Sequence, residues 1–321
     1  MSPVQVWEEP PLFFNGYCSL SEELIYHYTS AEGLLGILSE KAIRASNCLF
    51  LNDTNEFTFI QKMLESYLLS AACNSDETQI FSECLRRNIL FHNEFLDKTK
   101  SILSPCIASF SHSRDQLSQW RGYSSRGGYS IGFHPHTLTK YAEKQFFKKV
   151  KVEYFDKDHY PKDFTDTCRK FCEKLKKLLI KELPGVKNFP VSSLIHIYTD
   201  ESNVDIDTQL KKVFALLNII SLDYLHILID LIPKYKHASF EEENEVRFVK
   251  INNEDLEFAV HHNCLKPYIP LHFELSDIQE IIIGPTNNSD LCELGLVMLK
   301  KKLNAEHIKI SKSDIPYRSS L

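Results

Sequence analysis

An alternation of acidic and basic residues is the clearest chemical pattern in the chain. Glu243, Glu245 and Arg247 are two residues apart, so on a strand their side chains share one face. A carboxylate beside a guanidinium stays ionised. Such a carboxylate can hold a sugar hydroxyl and stabilise the positive charge that develops in glycosidic cleavage. We therefore predict Glu245 and Glu243 as catalytic residues; the alternative is a solvated acidic loop before an edge strand.

A histidine and a hydroxyl residue stand together near the start of the sequence. His27 and Thr29 point to the same face of a predicted strand. The predicted helix that follows offers free N–H donors to an anion. His27, Tyr28 and Thr29 are therefore candidates for binding a ribose and an anionic group. The alternative is that Thr29 only caps the helix and His27 is a core residue.

A third cluster mixes aromatic residues, arginines and glycines within ten positions. It contains Trp120, Arg121 and Tyr123, followed by Arg126 and Tyr129. Arginine binds phosphate through two parallel hydrogen bonds, a tyrosine stacks on a flat ring, and glycine lets the backbone approach a ligand closely. The cluster predicts a ligand-binding loop, with a hairpin loop anchored by tryptophan as the alternative.

Several familiar catalytic motifs do not occur in the sequence. It has no glycine-rich phosphate loop, no dinucleotide fingerprint, no H-E-x-x-H and no G-x-S-x-G. Its nine cysteines include no C-x-x-C pair. The close histidine pairs His134/His136 and His261/His262 have no third ligand at a recognisable spacing, so we predict no metal site.

The charge balance narrows the class of partner. Lysine and arginine number 37 and aspartate and glutamate 43, which gives a net charge of −6 at pH 7. Non-specific coating of nucleic acid needs a cationic face, so that class is disfavoured. Residues 169–181 predict a helix with a basic solvated face, and a surface for nucleic acid or an acidic partner is the alternative. The sequence starts without a basic segment followed by an apolar run, and unpaired thiols suit a reducing compartment, so we expect a cytoplasmic location.

Strand patterns lie toward both ends of the chain, and helical patterns lie between them. Helical periodicity at about 55–100 and 160–235 predicts one α+β domain over residues 1–321, with helical insertions at those two places. Thr29 and Glu32 predict a capping box. The predicted strands cover residues 23–29, 42–46, 106–112, 129–133, 149–155, 245–250, 256–261, 267–273, 279–284 and 307–311, with shorter helices at 116–123 and 289–303.

One apolar segment, residues 213–232, is long enough to cross a bilayer, which takes about 20 residues. Asp223 and Asp230 interrupt it, and an aspartate at mid-bilayer costs about 2.5–3.5 kcal/mol. We therefore predict no membrane span. The helix 206–232 is interpreted either as a buried core helix or as the interface of a homo-oligomer.

The motifs taken together resemble the DUF2971 family of mostly bacterial proteins of uncharacterised function. The matching runs are HYTS, GLLGIL, AIRASNCLFLNDTNEF, IASFSHSRDQLSQWRGYSSRGGYSIGF, VEYFD, F-x-x-E-x-E-x-R, IQEIIIGP and IKISKSDIPYR, in this order from about residue 25 to 318. The family's N-D-P-x-E run is present as Asn52, Asp53, Thr54, Asn55 and Glu56, without the proline. Asn52, Asp53 and Glu56 of this run, together with Trp120 and Arg247, are further site candidates.

A more distant resemblance is to NAD-dependent ADP-ribosyltransferases, in the branch of DNA-modifying toxins and RNA 2′-phosphotransferases. It implies an ADP-ribosyltransferase-like fold, with a mixed or split β-sheet core. His27 and Thr29 would hold the adenosine ribose of NAD, and Tyr129 or Tyr123 would stack on nicotinamide. Glu245 would bind the nicotinamide ribose and drive cleavage of the glycosidic bond.

The function implied by this second resemblance is transfer of ADP-ribose from NAD to a nucleic acid or a protein. Arg121 or Arg126 would meet the pyrophosphate. A bacterial toxin or an anti-phage defence effector is the implied role. Two rivals remain: a non-enzymatic module that senses a nucleotide, and a metal-dependent nuclease or phosphotransferase. The second would use Asp53, Glu56, Glu243 and Glu245.

Overall fold

The structure, a computed structural model of the chain, describes seven stretches of sequence. They are residues 23–51, 56–73, 104–123, 127–182, 223–251, 255–261 and 263–316. The fold within them is a mixed arrangement of helices and a mostly antiparallel sheet. The sequence therefore predicted the coarse class correctly.

The strands of the described residues are, in chain order, β1 (Ile25–Thr29), β2 (Ala42–Asn47), β3 (Cys106–Ser111), β4 (Tyr129–Phe133), β5 (Lys148–Lys151), β6 (Glu153–Phe155), β7 (Tyr235–His237), β8 (Glu245–Lys250), β9 (Glu257–His261), β10 (Cys264–His272), β11 (Ile278–Ile283) and β12 (Lys309–Lys312). The helices are α1 (Ala31–Glu40), α2 (Glu56–Cys73), α3 (Leu117–Tyr123), α4 (Pro135–Lys144), α5 (Lys162–Glu182), α6 (residues 223–231) and α7 (Ser289–Lys302).

The main sheet divides at β3. One edge of β3 pairs with β8 from Cys106 to Ser111. Its other edge is shared, because β1 pairs with it only at Ser111, whereas β2 pairs with it at Ile107 and Cys106. A gap therefore opens beside Ser109, between β1 on one side and β2 on the other.

Each branch of the divided sheet continues away from the gap. On one side β1 is followed by β4, β11 and β12, and on the other β2 is followed by β10 and β9. The pairs are antiparallel except for β11 with β12 in this sheet, while β6 and β7 form a separate parallel pair. The gap thus lies between two arms that are each held together by their own ladders.

Alternation of side chains along β3 and β8 fills an apolar core on each face of the sheet. Phe110 and Phe248 face the core that α1, α4 and α7 cover. Ile107 and Val249 face the core that α2, α5 and α6 cover. On α5, residues at spacings of four, three and four point inward, as an amphipathic helix requires: Phe164, Cys168, Phe171 and Leu175 are buried.

Most predicted elements are confirmed, and several strand bounds are close. Strands 129–133 and 245–250 have the predicted limits. The strand predicted over 149–155 is wrong as one element, because the chain leaves β8 after Lys151 and pairs with β7 from Glu153. Helix α4 was not predicted. Tyr235, assigned to a helical block, lies in a strand.

The predicted capping box of α1 is wrong by one residue. Thr29 still belongs to β1, where it pairs with Tyr129 of β4. The cap is Ser30, whose side chain accepts a hydrogen bond of 3.1 Å from the backbone N–H of Gly33. Pairing in the sheet holds Thr29 extended, so the first residue free to cap is the next one.

The helical insertions are described only in part. Helix α2 covers 56–73 of the first, and α5 and α6 cover both ends of the second. Residues 74–100 and 183–222 of the two predicted insertions lie outside the described part. In α6 the apolar side chains of Tyr224, Leu225 and Leu228 pack inside the chain's own core. Residues 206–222 of the predicted oligomer helix are outside the described part, so the oligomer stays a prediction, as does the single domain.

Within the described stretches, no helix combines the length and the apolar character needed to span a membrane.

Candidate functional site

A small cavity lies at the gap in the sheet. Its volume is about 50 Å³, enough for about three or four water molecules. Strands β1, β3 and β8 form its floor and helix α3 covers one side. The lining residues are Tyr26, His27, Tyr28, Ser109, Phe110, Ser111, Gln119, Tyr123, Glu243 and Glu245.

His27 occupies the place where β1 and β3 separate. Its Nδ1 is 2.9 Å from the carbonyl oxygen of Ser109, a group that neither β1 nor β2 pairs with. A carbonyl only accepts, so Nδ1 carries the proton in this contact and Nε2 is left as an acceptor in the neutral ring. Burial lowers the pKa of His27 below its ordinary value, which keeps the imidazole neutral.

Hydroxyl groups form the wall beside His27. Ser111 donates to the carbonyl oxygen of Glu243 at 2.6 Å, which ties β3 to the segment before β8. Tyr28 donates to the carbonyl oxygen of Ser113 at 2.7 Å, and Tyr26 donates to Glu280 at 2.9 Å. The wall is therefore held in place by contacts to three different parts of the chain.

Glu245 provides the negative charge of the cavity. Its two carboxylate oxygens accept from Nε and a terminal nitrogen of Arg247 at 2.8 and 2.9 Å, and the ammonium of Lys236 is 3.6 Å away. Burial by itself would raise the pKa of Glu245, but Arg247 and Lys236 lower it to about 2. The carboxylate is therefore ionised although the residue is only 6 % exposed.

Glu243 reaches the same cavity by a different route. It was predicted to lie on the strand of Glu245, and this is wrong, because Glu243 ends a short 3-10 helix, Ala238–Glu243. Asn244 then takes a left-handed conformation with φ of 44°, which turns the chain into β8. Lys236 donates to Glu243 at 2.7 Å. Burial nevertheless raises the pKa of Glu243 above its ordinary value.

Glu56 closes the charged cluster behind the cavity. It begins α2 and pairs with Arg247, and burial raises its pKa despite that pairing. The cluster therefore holds three carboxylates against two cations, with Glu245 as the carboxylate whose charge is best stabilised. Among the described residues, no group of three or more histidine, cysteine, aspartate or glutamate side chains is placed to hold a metal ion.

Helix α3 brings part of the third cluster to the cavity. Gln119 and Tyr123 line it, while Trp120 is buried against Tyr28 with ring centroids 4.7 Å apart. The indole N–H of Trp120 donates to Asp115 at 2.6 Å. Trp120 thus anchors the helix, which was the alternative interpretation of this residue, and Tyr123 at the helix end meets the cavity.

The two tyrosine candidates are separated by the fold. Tyr123 lines the cavity, and desolvation together with the charges of Glu243 and Glu245 raises its pKa. Tyr129 begins β4 and does not line the cavity. Burial, followed by a hydrogen bond with Cys292, raises the pKa of Tyr129 to about 12. Of these two candidates for stacking, Tyr123 is therefore the one that can touch a ligand in this cavity.

The remaining candidates lie elsewhere. Thr29 is not among the lining residues, and its hydroxyl lies over the start of α1, where a Cβ on Gly33 would come within 2.0 Å of it. Arg121 is exposed on α3 and does not line the cavity. Asn52, Asp53 and Arg126 lie outside the described residues.

Five polar residues of this region were not predicted as site residues, and neither was Phe110. Ser109 and Ser111 alternate along β3, so their common face was visible in the run IASFSH, but nothing in the sequence linked that face to Glu245. Gln119 and Tyr26 are next in sequence to Trp120 and His27, which were predicted as site candidates. Lys236 had no signal at all, because only the turn through Asn244 brings it to Glu243 and Glu245.

Comparison with known proteins finds one family model that is similar to the middle of the chain. The family model described as "Protein of unknown function (DUF2971)" matches residues 119–248. This span begins in α3 and ends in β8, so it contains Gln119, Tyr123, Lys236, Glu243 and Glu245. No curated protein and no solved structure matches the chain.

Proposed function

We propose that the cavity receives the nicotinamide ribose of NAD and that the protein transfers ADP-ribose to a nucleic acid or a protein. The observation that carries this proposal is the ionised carboxylate of Glu245, which shares one small cavity with His27 and Tyr123. Tyr26 pairs with Ser111, and Ser111 pairs with Glu245, so two strand spacings of about 4.8 Å separate Glu245 from Tyr26, the residue before His27. One dinucleotide can reach across that distance.

Glu245 would stabilise the transition state electrostatically. As the bond between the ribose and nicotinamide breaks, its electron pair leaves with nicotinamide and positive charge develops on the ribose. A fixed carboxylate that is already charged and desolvated stabilises this charge without reorganising. A carboxylate with a pKa of about 2 is a weak base, so this role is electrostatic rather than proton transfer.

Glu243 is the better proton acceptor of the pair. Its pKa is raised, and a general base works best when its pKa lies near the working pH. The acceptor nucleophile forms the new bond to the ribose and loses a proton, which Glu243 would take. The two carboxylates thus have different tasks because Arg247 contacts Glu245 and not Glu243.

His27 and Tyr123 would position the substrate. The free Nε2 of neutral His27 can accept a hydrogen bond from a ribose hydroxyl. The ring of Tyr123 can stack on nicotinamide. Because the cavity measures about 50 Å³, a dinucleotide requires Tyr123 at the end of α3 to swing outward, and 38 % of this residue is exposed already.

Calorimetric titration of NAD into the wild type, Tyr123→Ala and Tyr123→Phe tests the proposal. We expect the wild type to bind, Tyr123→Phe to bind within about threefold, and Tyr123→Ala to lose about tenfold, since stacking of aromatic rings contributes about 0.5–1.5 kcal/mol beyond buried area. Folded wild-type protein that binds no NAD at millimolar concentration would remove NAD from the site.

The binding-module rival has a distinct outcome in the same series. NAD that binds in the cavity but is never cleaved, with any acceptor offered, favours a nucleotide sensor. Loss of activity on adding a chelator favours the metal-dependent rival.

A further inference from the structure

A second, larger depression borders strand β5, on the edge that faces away from β8. It has a volume of about 510 Å³ and runs between β5 and α5. In the described part of the chain β5 pairs only with β8, so its other edge borders this groove. The groove and the face of α5 that continues it form a cationic surface, which we call the lysine groove: Lys148, Lys149, Lys151, Lys170, Lys174, Lys177, Lys181 and Lys234.

The lysine groove is positive within a chain whose net charge is −6. Its eight lysines are accompanied by four carboxylates, those of Glu153, Asp163, Asp166 and Glu173. Two of these carboxylates, Asp166 and Glu173, already pair with Arg169 at 3.0 and 3.2 Å. The acidic residues nearby are therefore partly occupied by a cation other than the lysines.

Two of the lysines are themselves paired. Lys174 is 2.6 Å from Asp223, and Lys234 contacts Asp230. Five other lysines of the groove form no ion pair with a carboxylate among the residues that the structure describes. They are Lys148, Lys149, Lys151, Lys170 and Lys177.

The lysines of α5 lie in a row. Lys170, Lys174, Lys177 and Lys181 are four, three and four residues apart, so they share one face. At 1.5 Å per residue the steps are about 6, 4.5 and 6 Å. A nucleic-acid strand has one phosphate per about 3.4 Å of duplex axis, and more when extended. A linear polyanion therefore matches this row better than a compact anion does.

An exposed aromatic residue lies just before β5, one of the two elements that border the lysine groove. Phe146, two residues before Lys148, is 84 % exposed and has φ of 63°. A left-handed backbone at a bulky non-glycine residue is uncommon. Phenylalanine next to a cationic groove is the combination by which proteins bind single strands, because unpaired bases stack on the ring while lysines meet the phosphates.

From these observations we infer that the lysine groove binds a single-stranded nucleic acid, with phosphates along α5 and β5 and a base on Phe146. A membrane surface is a poorer match, because the lysines line a recess and a flat bilayer cannot enter it. This binding requires neither NAD nor a reaction at Glu245, so it can be tested independently of the proposed function.

The lysine groove borders β5, which pairs with the strand that carries Glu245. Val152, directly after Lys151, donates its backbone N–H to the carbonyl oxygen of Glu245 at 3.1 Å. The charges of Lys149 and Lys151, after burial, contribute to lowering the pKa of His112, which follows Ser111 in the chain. A strand in the groove would therefore pass close to β8, the strand that carries Glu245.

Fluorescence anisotropy of a labelled oligothymidylate, at several salt concentrations and without NAD, tests the inference. The wild type is compared with Lys170→Ala/Lys177→Ala and with the matched control Lys301→Ala/Lys302→Ala at the exposed end of α7. We expect the slope of log affinity against log salt to fall by about 1.4 in the groove variant, at about 0.7 per phosphate contact. The control should keep the wild-type slope.

Phe146→Ala should bind about tenfold more weakly, since stacking on one base contributes about 1–3 kcal/mol.

Three results would overturn the inference. The first is no binding by folded wild type at low salt, and the second is an equal loss in the groove and control variants. The third is a polyglutamate peptide, or a vesicle with anionic lipid, that binds as tightly and with the same dependence on Lys170 and Lys177. That result would assign the surface to an acidic protein or to a membrane.

Discussion

Glu245 is held in its charged form by two cations that reach it from different directions. Arg247 lies two residues along the same strand, and Lys236 comes from β7. Because Glu245 forms ion pairs with both cations, its substitution changes the stability of the protein as well as any activity. Measurements of stability at different pH values separate these two effects.

The stability supplied by Glu245 should fall in acid. Its pKa is about 2 in the folded protein, against an ordinary value of 4.5. A depressed folded pKa stabilises the protein above pH 4.5, and this stability is lost as the pH falls toward 2. One pKa unit corresponds to 1.36 kcal/mol, so we expect Glu245→Gln to lower the free energy of unfolding by about 3 kcal/mol at pH 7. The penalty should be about half of that at pH 3, as measured by urea unfolding.

Glu243→Gln is the matched control for this measurement. The pKa of Glu243 is raised, so its ionised form is disfavoured by folding and its removal should cost less at pH 7. Its cost should not shrink in acid. A Glu245→Gln penalty that is equal at pH 7 and pH 3 would contradict the depressed pKa. In activity assays Glu245→Gln should lose ADP-ribose transfer and keep most of its NAD affinity.

At the scale of elements, the junction of β1 and α1 shows how a sheet shifts a helix start. Thr29 stays paired with Tyr129, and Ser30 becomes the cap. The first turn of α1 then passes so close to Thr29 that a Cβ at position 33 would displace the Thr29 hydroxyl, which would lie 2.0 Å from it. The strand that carries His27 therefore also determines where α1 begins.

Removing the cap should weaken the protein measurably. We expect Ser30→Ala to lower the free energy of unfolding by about 1 kcal/mol, because the N–H of Gly33 loses its acceptor. Thr29→Val removes the hydroxyl at the position first predicted to cap but keeps a β-branched side chain, and should cost clearly less. Urea unfolding compares the two variants. A larger loss in Thr29→Val than in Ser30→Ala would restore Thr29 as the cap.

At the scale of the whole molecule, the divided sheet places its best-paired strands beside the cavity. Strand β8 has β3 on one edge and β5 on the other, whereas β9 pairs only with β10 in the described part of the chain. Apolar cores cover β8 on both faces, since Phe248 belongs to one core and Val249 to the other. Glu245 therefore lies on a strand that is paired on both edges and covered on both faces.

Hydrogen exchange followed by mass spectrometry should reflect this arrangement. Amides of residues 245–250 should exchange near the rate set by global unfolding, and those of residues 257–261 much faster, because edge strands open locally. The peptide of β4 serves as the internal reference, since β4 is paired with β1 on one edge and with β11 on the other. Similar exchange in β8 and β9 would show that the divided sheet does not open strand by strand.

Periodicity made much of the fold predictable. The strands 129–133 and 245–250 and the helix near 289–303 follow from alternation and from 3.6-residue spacing, which are local properties of the chain. The break of the predicted 149–155 strand was not predictable, because the polar and apolar alternation continues while the pairing partner changes from β8 to β7. Helix α4 was missed although its signals are local: a proline stands at its first position, and its buried residues Pro135, Leu138 and Ala142 are three and four residues apart.

The sequence by itself determined which side chains of β8 face together. Glu245 and Arg247 alternate with Val246 and Phe248, and the two-residue period of a strand leaves them no other arrangement. It likewise determined the apolar stripe of α5 and the row of lysines on its other side. These are consequences of spacing along one element.

Only the tertiary structure decided what meets Glu245. Lys236 and Glu56 reach its neighbourhood from elements 9 and 189 residues away in the chain, and the gap between β1 and β2 brings in His27. Which tyrosine enters the cavity was decided in the same way, by α3 packing on Tyr28 through Trp120. Burial and long-range pairing set the charge of Glu245, and neither quantity is a property of residues 240–250 alone.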